Sequence, residues 1–223
     1  MNEGAAPSTG RLILVPALIT LAVTLLRLTG ELLHWSPALF NRQPGGPGAV
    51  VGIVWLVPVF AIYFAVRLVR AGAGPAGFGR VFGMPILGLL IPIVVGIVAS
   101  RLKAGQVAQL GITLVACIPA IVVAMRGWPA LGRVLLAYGF AARVPVALVM
   151  LAAILGNWGT HYDVVPPRFP EMSAIPKWFL IGLLPQLTLW IAFTVAVGML
   201  FGGVAAAVTG RRRAPQHAVP AAS

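Results

Sequence analysis

Acidic residues are nearly absent. Four Asp and Glu stand against 16 Lys and Arg in 223 residues, and charged side chains make up only 9%. A soluble domain carries roughly 25%, so water-soluble globular, disordered and collagen-like chains are excluded. Cysteine is down to Cys117 alone, which rules out an intramolecular disulfide and any multi-cysteine metal or iron–sulfur site. Several catalytic signatures are missing as well. Without a Gly-x-x-x-x-Gly-Lys-Ser/Thr loop the chain has no phosphate cradle for intrinsic ATPase activity. Without His-Glu-x-x-His or Gly-x-Ser-x-Gly the zinc-protease and serine-hydrolase patterns fail. No lysine lies inside an apolar run to hold a retinal Schiff base, Lys177 being at an edge, and no Asp-rich motif for prenyl or nucleotidyl transfer occurs.

What is abundant is hydrocarbon: 60% of residues are hydrophobic and the mean hydropathy is +0.98. A membrane-spanning helix needs about 20 mostly apolar residues. Six runs qualify, at about 12–30, 49–69, 82–102, 106–125, 134–155 and 179–207. Backbone amides in lipid must bond internally, and these runs are continuously apolar where a barrel strand would alternate. The expected fold is therefore an all-α bundle of six transmembrane helices forming one domain over 1–210. A basic tail, 211–223, is expected to be disordered and cytoplasmic. The first run continues into Arg27-Leu28-Thr29-Gly30-Glu31 with no small-x-small cleavage site, so it reads as a retained span.

The formal charge of +12 points first to cytoplasmic loops. With both termini inside, Arg11, Arg67, Arg70, Arg80, Arg126, Arg133, Arg211, Arg212 and Arg213 are cytoplasmic. Arg42, Arg101, Lys103, Arg168 and Lys177 are external, and this bias sets the expected orientation in a bacterial-type inner membrane. The tail then serves as a topology anchor and meets anionic lipid; nucleic acid is not an expected partner.

Each run carries a proline: Pro16, Pro58, Pro92, Pro119, Pro145 and Pro185. Most are read as ordinary membrane-helix prolines and some as kinks. Of the external connections, Ser36-Pro37 predicts a short interfacial helix with Trp35, Leu39 and Phe40 at headgroup level. The segment 157–177 reads as an ordered, proline-rich loop. Trp178 to Leu184 is expected at the interface, with Pro185 starting or kinking the last span.

Charge inside a bilayer costs roughly 2.5–3.5 kcal/mol per residue, so intramembrane polar residues carry the most information. Thr20, Thr24, Arg27, Glu31 and His34 fall on one face of a helix, with Arg27 and Glu31 one turn apart and able to pair. Arg143 lies about ten residues into a span, too deep to snorkel, and needs Glu31, a freed carbonyl or an anionic ligand. Gln186, Trp190, Thr194, Gly198, Gly202 and Ala206 form a stripe whose Gly198/Gly202 half permits close helix approach, to a neighbouring helix or to a membrane-protein partner. Gln106, Gln109, Thr113 and Cys117 read as interhelical glue.

Three of the four acids, Glu31, Asp163 and Glu171, fall at the external side with His34 and His161. If the two external loops fold over the bundle mouth, His34, His161, Asp163 and Glu31 form a carboxylate–imidazole cluster suited to proton relay, acid–base work or metal binding. Ordinary loop hydrogen bonding is the simpler reading, and bis-histidine haem ligation is disfavoured because both histidines lie at one rim. No metal site or cofactor is assigned.

Three function classes remain. The first is a small transporter or permease component whose outward cavity is lined by Arg27, Glu31, Arg143 and Gln186. The second is an accessory subunit of a larger membrane complex. The third is a membrane enzyme working at the outer face with His161, Asp163, Glu31 and His34. The first is preferred, with an anionic or zwitterionic substrate, because two intramembrane arginines face one intramembrane carboxylate.

Overall fold

A computed structural model describes residues 8–46, 49–102, 105–167 and 169–211. Of the described residues 74% are helical, and none lies in a strand. The expected basic tail beyond 211 lies outside them.

Five helical stretches are long and apolar enough to cross a membrane. They are α1 (Thr9–Leu32), α3 (Phe78–Arg101), α4 (Gln106–Met125), α5 (Pro129–Gly156) and the composite Ala174–Gly210. The sixth, α2 (Leu56–Arg70), has only 15 residues. The run 49–69 was expected to be helical throughout, yet 50–55 is a series of bends and turns. Pro58 supplies the reason. Deep in a helix its ring clashes with the carbonyl four residues back, whereas the first turn tolerates it. The helix therefore starts two residues before it, at Leu56.

The last stretch is likewise discontinuous. It runs as α6 (Ala174–Lys177), a π-helical turn (Trp178–Leu183), α7 (Leu184–Leu187) and α8 (Leu189–Arg211), broken at Thr188 with φ −120° and ψ −71°. Pro185 has no N–H to give Ile181, and the π turn on its N-terminal side absorbs the mismatch. Pro16, Pro92, Pro119 and Pro145 stay inside continuous helices. The short helix expected after Ser36 is a single turn, closed by Leu39 and Phe40 amides on the Ser36 carbonyl. Phe40 is buried instead of lying at headgroup level, while Trp35 and Leu39 are exposed.

Hydrogen bonds sort the loops into two ends. The Trp128 indole donates to the Ala73 carbonyl at 2.9 Å and Arg80 to the Arg126 carbonyl at 3.3 Å, joining 71–77 to 126–128. At the opposite end Arg42 donates to the Gly159 carbonyl at 2.9 Å, joining 33–55 to 157–173.

The main core lies between α8, α2 and α5. Ile191, Val195 and Met199 of α8 are fully buried with Phe64 of α2 and with Leu131, Leu135 and Tyr138 of α5. Gly198 and Gly202 permit this approach: a Cβ on either would meet Leu135 or Leu131 of α5 and Ala61 or Ala65 of α2. That face is filled from within the chain, as the close-approach reading of the two glycines expects. A smaller cluster of Val146, Met150, Ala153 and Tyr162 sits beneath the large loops.

Candidate functional site

Thr20, Thr24, Arg27 and Glu31 all face inward from α1, as the helical spacing requires. Glu31 is fully buried. Its Oε1 accepts from Arg27 Nε at 2.8 Å and contacts His161 Nδ1 at 2.5 Å. Its Oε2 accepts from the His161 backbone amide at 2.9 Å. The expected Arg27–Glu31 pair is therefore present, joined by an imidazole 130 residues away in sequence. Arg27 Nη2 also donates to the carbonyls of Asn41 at 3.1 Å and Gly46 at 3.3 Å. Gly46 has φ +61°, and a side chain there would strike both Arg27 and His161. The loop crosses the guanidinium closely because that residue is glycine.

Asp163 lies near this group but works for its own loop. Its carboxylate accepts the Gly159 amide at 2.8 Å, the Thr160 amide at 2.7 Å and the Thr160 hydroxyl at 2.7 Å. This fixes the turn that presents His161. His34 does not join: it is exposed at φ 55°, with Nδ1 3.0 Å from the Leu32 carbonyl. Glu31 and His161 thus meet, Asp163 supports them from behind, and His34 stands apart. Among the described residues no three of His, Cys, Asp and Glu converge to hold a metal ion.

Below the clasp lies a cavity of about 570 Å³. It is walled by Thr24 and Arg27 of α1, the irregular segment through Gly52 to Trp55, and Arg143, Val146 and Met150 of α5. His161 and Tyr162 of the long loop, Ile181 of the π turn, Gln186 of α7 and Trp190 of α8 complete most of the wall. Both discontinuities of the fold, at 50–55 and around Thr188, are at this cavity.

Arg143 is 4% exposed. Its Nη1 reaches Gln186 Oε1 at 3.4 Å, a long contact, and its guanidinium carbon lies 4.5 Å from the Trp190 ring centroid. It does not meet Glu31, as was one expectation. Among the described residues no carboxylate bonds to it: Glu31 is taken by Arg27 and His161, Asp163 by its loop, and Glu171 is exposed elsewhere. A guanidinium has five N–H donors. Among the described residues no sealed side-chain nitrogen or oxygen is wholly without a partner, and Arg143, with its one long hydrogen bond, lines the cavity.

Other polar residues are bonded along their own helices. The Thr194 hydroxyl donates to the Trp190 carbonyl, Thr113 to the Gln109 carbonyl, and the Cys117 thiol to the Thr113 carbonyl. Sequence reasoning missed Tyr138, whose hydroxyl lies 2.8 Å from Thr20 Oγ1. It also missed Tyr162, which donates to the Thr24 carbonyl at 3.3 Å. An aromatic with a polar tip beside a stripe of threonines was the available signal.

The His161 imidazole, in the loop, is held below its ordinary pKa, chiefly by burial and then by the neighbouring Arg27, against the pull of Glu31. Burial pushes the Tyr162 phenol up. Both groups are therefore neutral near pH 7. Among the described residues of the wall, the charge left uncompensated is that of Arg143. No family model matches the chain, and no curated protein or solved structure matches it either.

Proposed function

We propose that the chain is a multi-pass membrane protein with six crossings, α2 being a shortened one, and that it acts as a small transporter or permease component for an anionic substrate. The end carrying 33–55 and 157–173 faces outward, both termini lie in the cytoplasm, and the membrane is a bacterial-type inner membrane. The observation that carries the reading is Arg143, a deeply buried guanidinium with one long hydrogen bond and no carboxylate partner among the described residues, lining a cavity. A buried charge left without a counter-ion is costly, and an anionic occupant removes that cost. The placement of the broken last helix and of the irregular segment 50–55 around the same cavity supports transport, since discontinuous helices with irregular backbone line the binding sites of many transporters.

The test is a thermal melting series in detergent with acetate, succinate, inorganic phosphate and dodecanoate. At least one anion is expected to raise the melting temperature of the native protein and not that of Arg143→Gln. The empty variant is expected to melt no lower than the native protein, because a buried uncompensated charge has been removed. No response to any of the four anions, together with a large melting loss in Arg143→Gln, would make Arg143 structural and sink the proposal. Uptake of the responsive anion into liposomes bearing the protein, and its loss in Arg143→Gln, then separates transport from binding alone.

A further inference from the structure

We infer that the occupant of this cavity is an amphipathic monoanion, a single carboxylate or phosphate head on a long apolar chain. This rests on the anion-binding reading above and narrows it. The head is set by Arg143, 4% exposed, which lines the cavity with the Gln186 amide beside it. The valence is set by bookkeeping of charge. Arg27 is neutralised by Glu31, and burial holds the loop imidazole His161 below its ordinary pKa, so among the described residues of the wall one positive charge, that of Arg143, is left to match.

The body of the ligand is set by the rest of the wall. Apart from Arg143 and the polar groups of Thr24, Arg27, His161 and Gln186 it is hydrocarbon and aromatic, with Ile53, Trp55, Val146 and Ile181 among its faces. A small hydrated anion would leave that surface against water, at about 25 cal/mol per Å². At roughly 30 Å³ per water-sized group, the volume of about 570 Å³ takes about 19 such groups, the scale of a fatty chain and its head. A route for the chain exists too. The wall continues through Val54 and Trp55, which are 42% and 53% exposed at the broken start of α2. The head thus sits deep at Arg143 and the tail leads out past α2 toward the lipid side.

The experiment uses the full-length protein in phosphatidylcholine nanodiscs, with tryptophan emission as readout and empty nanodiscs correcting for partition. The probes are dodecanoate, dodecanol, acetate and inorganic phosphate. Dodecanoate is expected to bind at least about tenfold tighter than the other three, the scale of one charge-assisted contact. Arg143→Gln is expected to bring dodecanoate down to the level of dodecanol while leaving dodecanol unchanged. If acetate or phosphate binds as tightly as dodecanoate, the amphiphile falls and the anion site stands. If dodecanol equals dodecanoate in the native protein, the anion site itself falls. Because the four probes are compared on the native protein, the result holds even where Arg143→Gln does not fold. Replacing part of the phosphatidylcholine by phosphatidylglycerol separates two sources of the same chemistry. Competition with dodecanoate assigns the cavity to a bilayer phospholipid, and its absence alongside dodecanoate binding assigns it to a free amphiphile.

Discussion

Glu31 and Arg143 are the two most deeply buried charges of this protein, and they are treated in opposite ways. Glu31 has its lone pairs taken by a guanidinium, an imidazole and a backbone amide, whereas Arg143 has one long hydrogen bond and a ring. A fully satisfied buried charge holds structure together, and one without a counter-ion is costly, which is the ground for the ligand proposed above. The partner of Glu31 gives a pH prediction. His161 titrates below its ordinary value of about 6.5 in the folded protein, so the unfolded chain takes up a proton first. Its contribution to stability is complete above about pH 6.5 and is lost as pH falls through and below that value, by at most about 1.4 kcal/mol per pH unit. Melting temperature is expected to drop on acidification from pH 7 toward pH 5, and His161→Gln to flatten that part of the curve. An unchanged slope in the variant would show that other groups govern acid lability. Part of this site was legible beforehand. Arg27 and Glu31 sit one helical turn apart, and the depth of Arg143 follows from counting residues. The contact of His161 with Glu31 was legible only on the condition that the outer loops fold over the bundle mouth, because loop closure over 130 residues leaves no periodic trace. The exclusion of His34 was not legible, since it turns on a single backbone angle, φ 55°.

At the scale of elements, hydrophobicity located the long helices but not their continuity, and it left Ala174–Lys177 in a loop. An apolar run says that a segment avoids water, and it does not say that the segment is helical. The run 49–69 fails as a continuous helix at Pro58, and the final run at Pro185. Prolines placed mid-helix at 16, 92, 119 and 145 look no different in sequence, and what decides is whether neighbouring helices hold the turn in place. Close helix contact shows the same dependence on context. Gly88 of α3 lies so near α4 that a Cβ would sit 2.9 Å from the Ala120 carbonyl oxygen and 3.0 Å from Ala124 Cβ, neither able to rotate away. Gly111 of α4 faces open space. Gly88→Ala is expected to cost about 1–3 kcal/mol by overpacking, and Gly111→Ala to gain about 0.5–1 kcal/mol through reduced backbone entropy of the unfolded chain. Chemical denaturation of both variants checks the pair. Equal effects would mean that the α3–α4 contact is looser than described.

For the whole molecule, the proposed orientation predicts opposite accessibility of two sites, one exposed and one half-buried. Ser173 lies at the end bearing the clasp and Gly77 at the other, with open space around a Cβ there. In intact cells a membrane-impermeant thiol reagent is expected to label Ser173→Cys and spare Gly77→Cys, with the buried Cys117 contributing no background. The reverse pattern would invert the topology. The shortness of α2 bears on the bilayer itself. Fifteen residues at about 1.5 Å each make a rod of about 22 Å, against a hydrocarbon core of about 30 Å. The deficit of about 8 Å lies at one end only, above Leu56, where the chain is irregular and Trp55 stands exposed. A bilayer meets such a mismatch by thinning. In the proposed setting the outer leaflet dips beside α2, and its headgroups descend to the depth of Trp55. On that proposal the protein shapes the sheet around it and shortens the climb that a polar head would make between the lipid surface and the buried guanidinium.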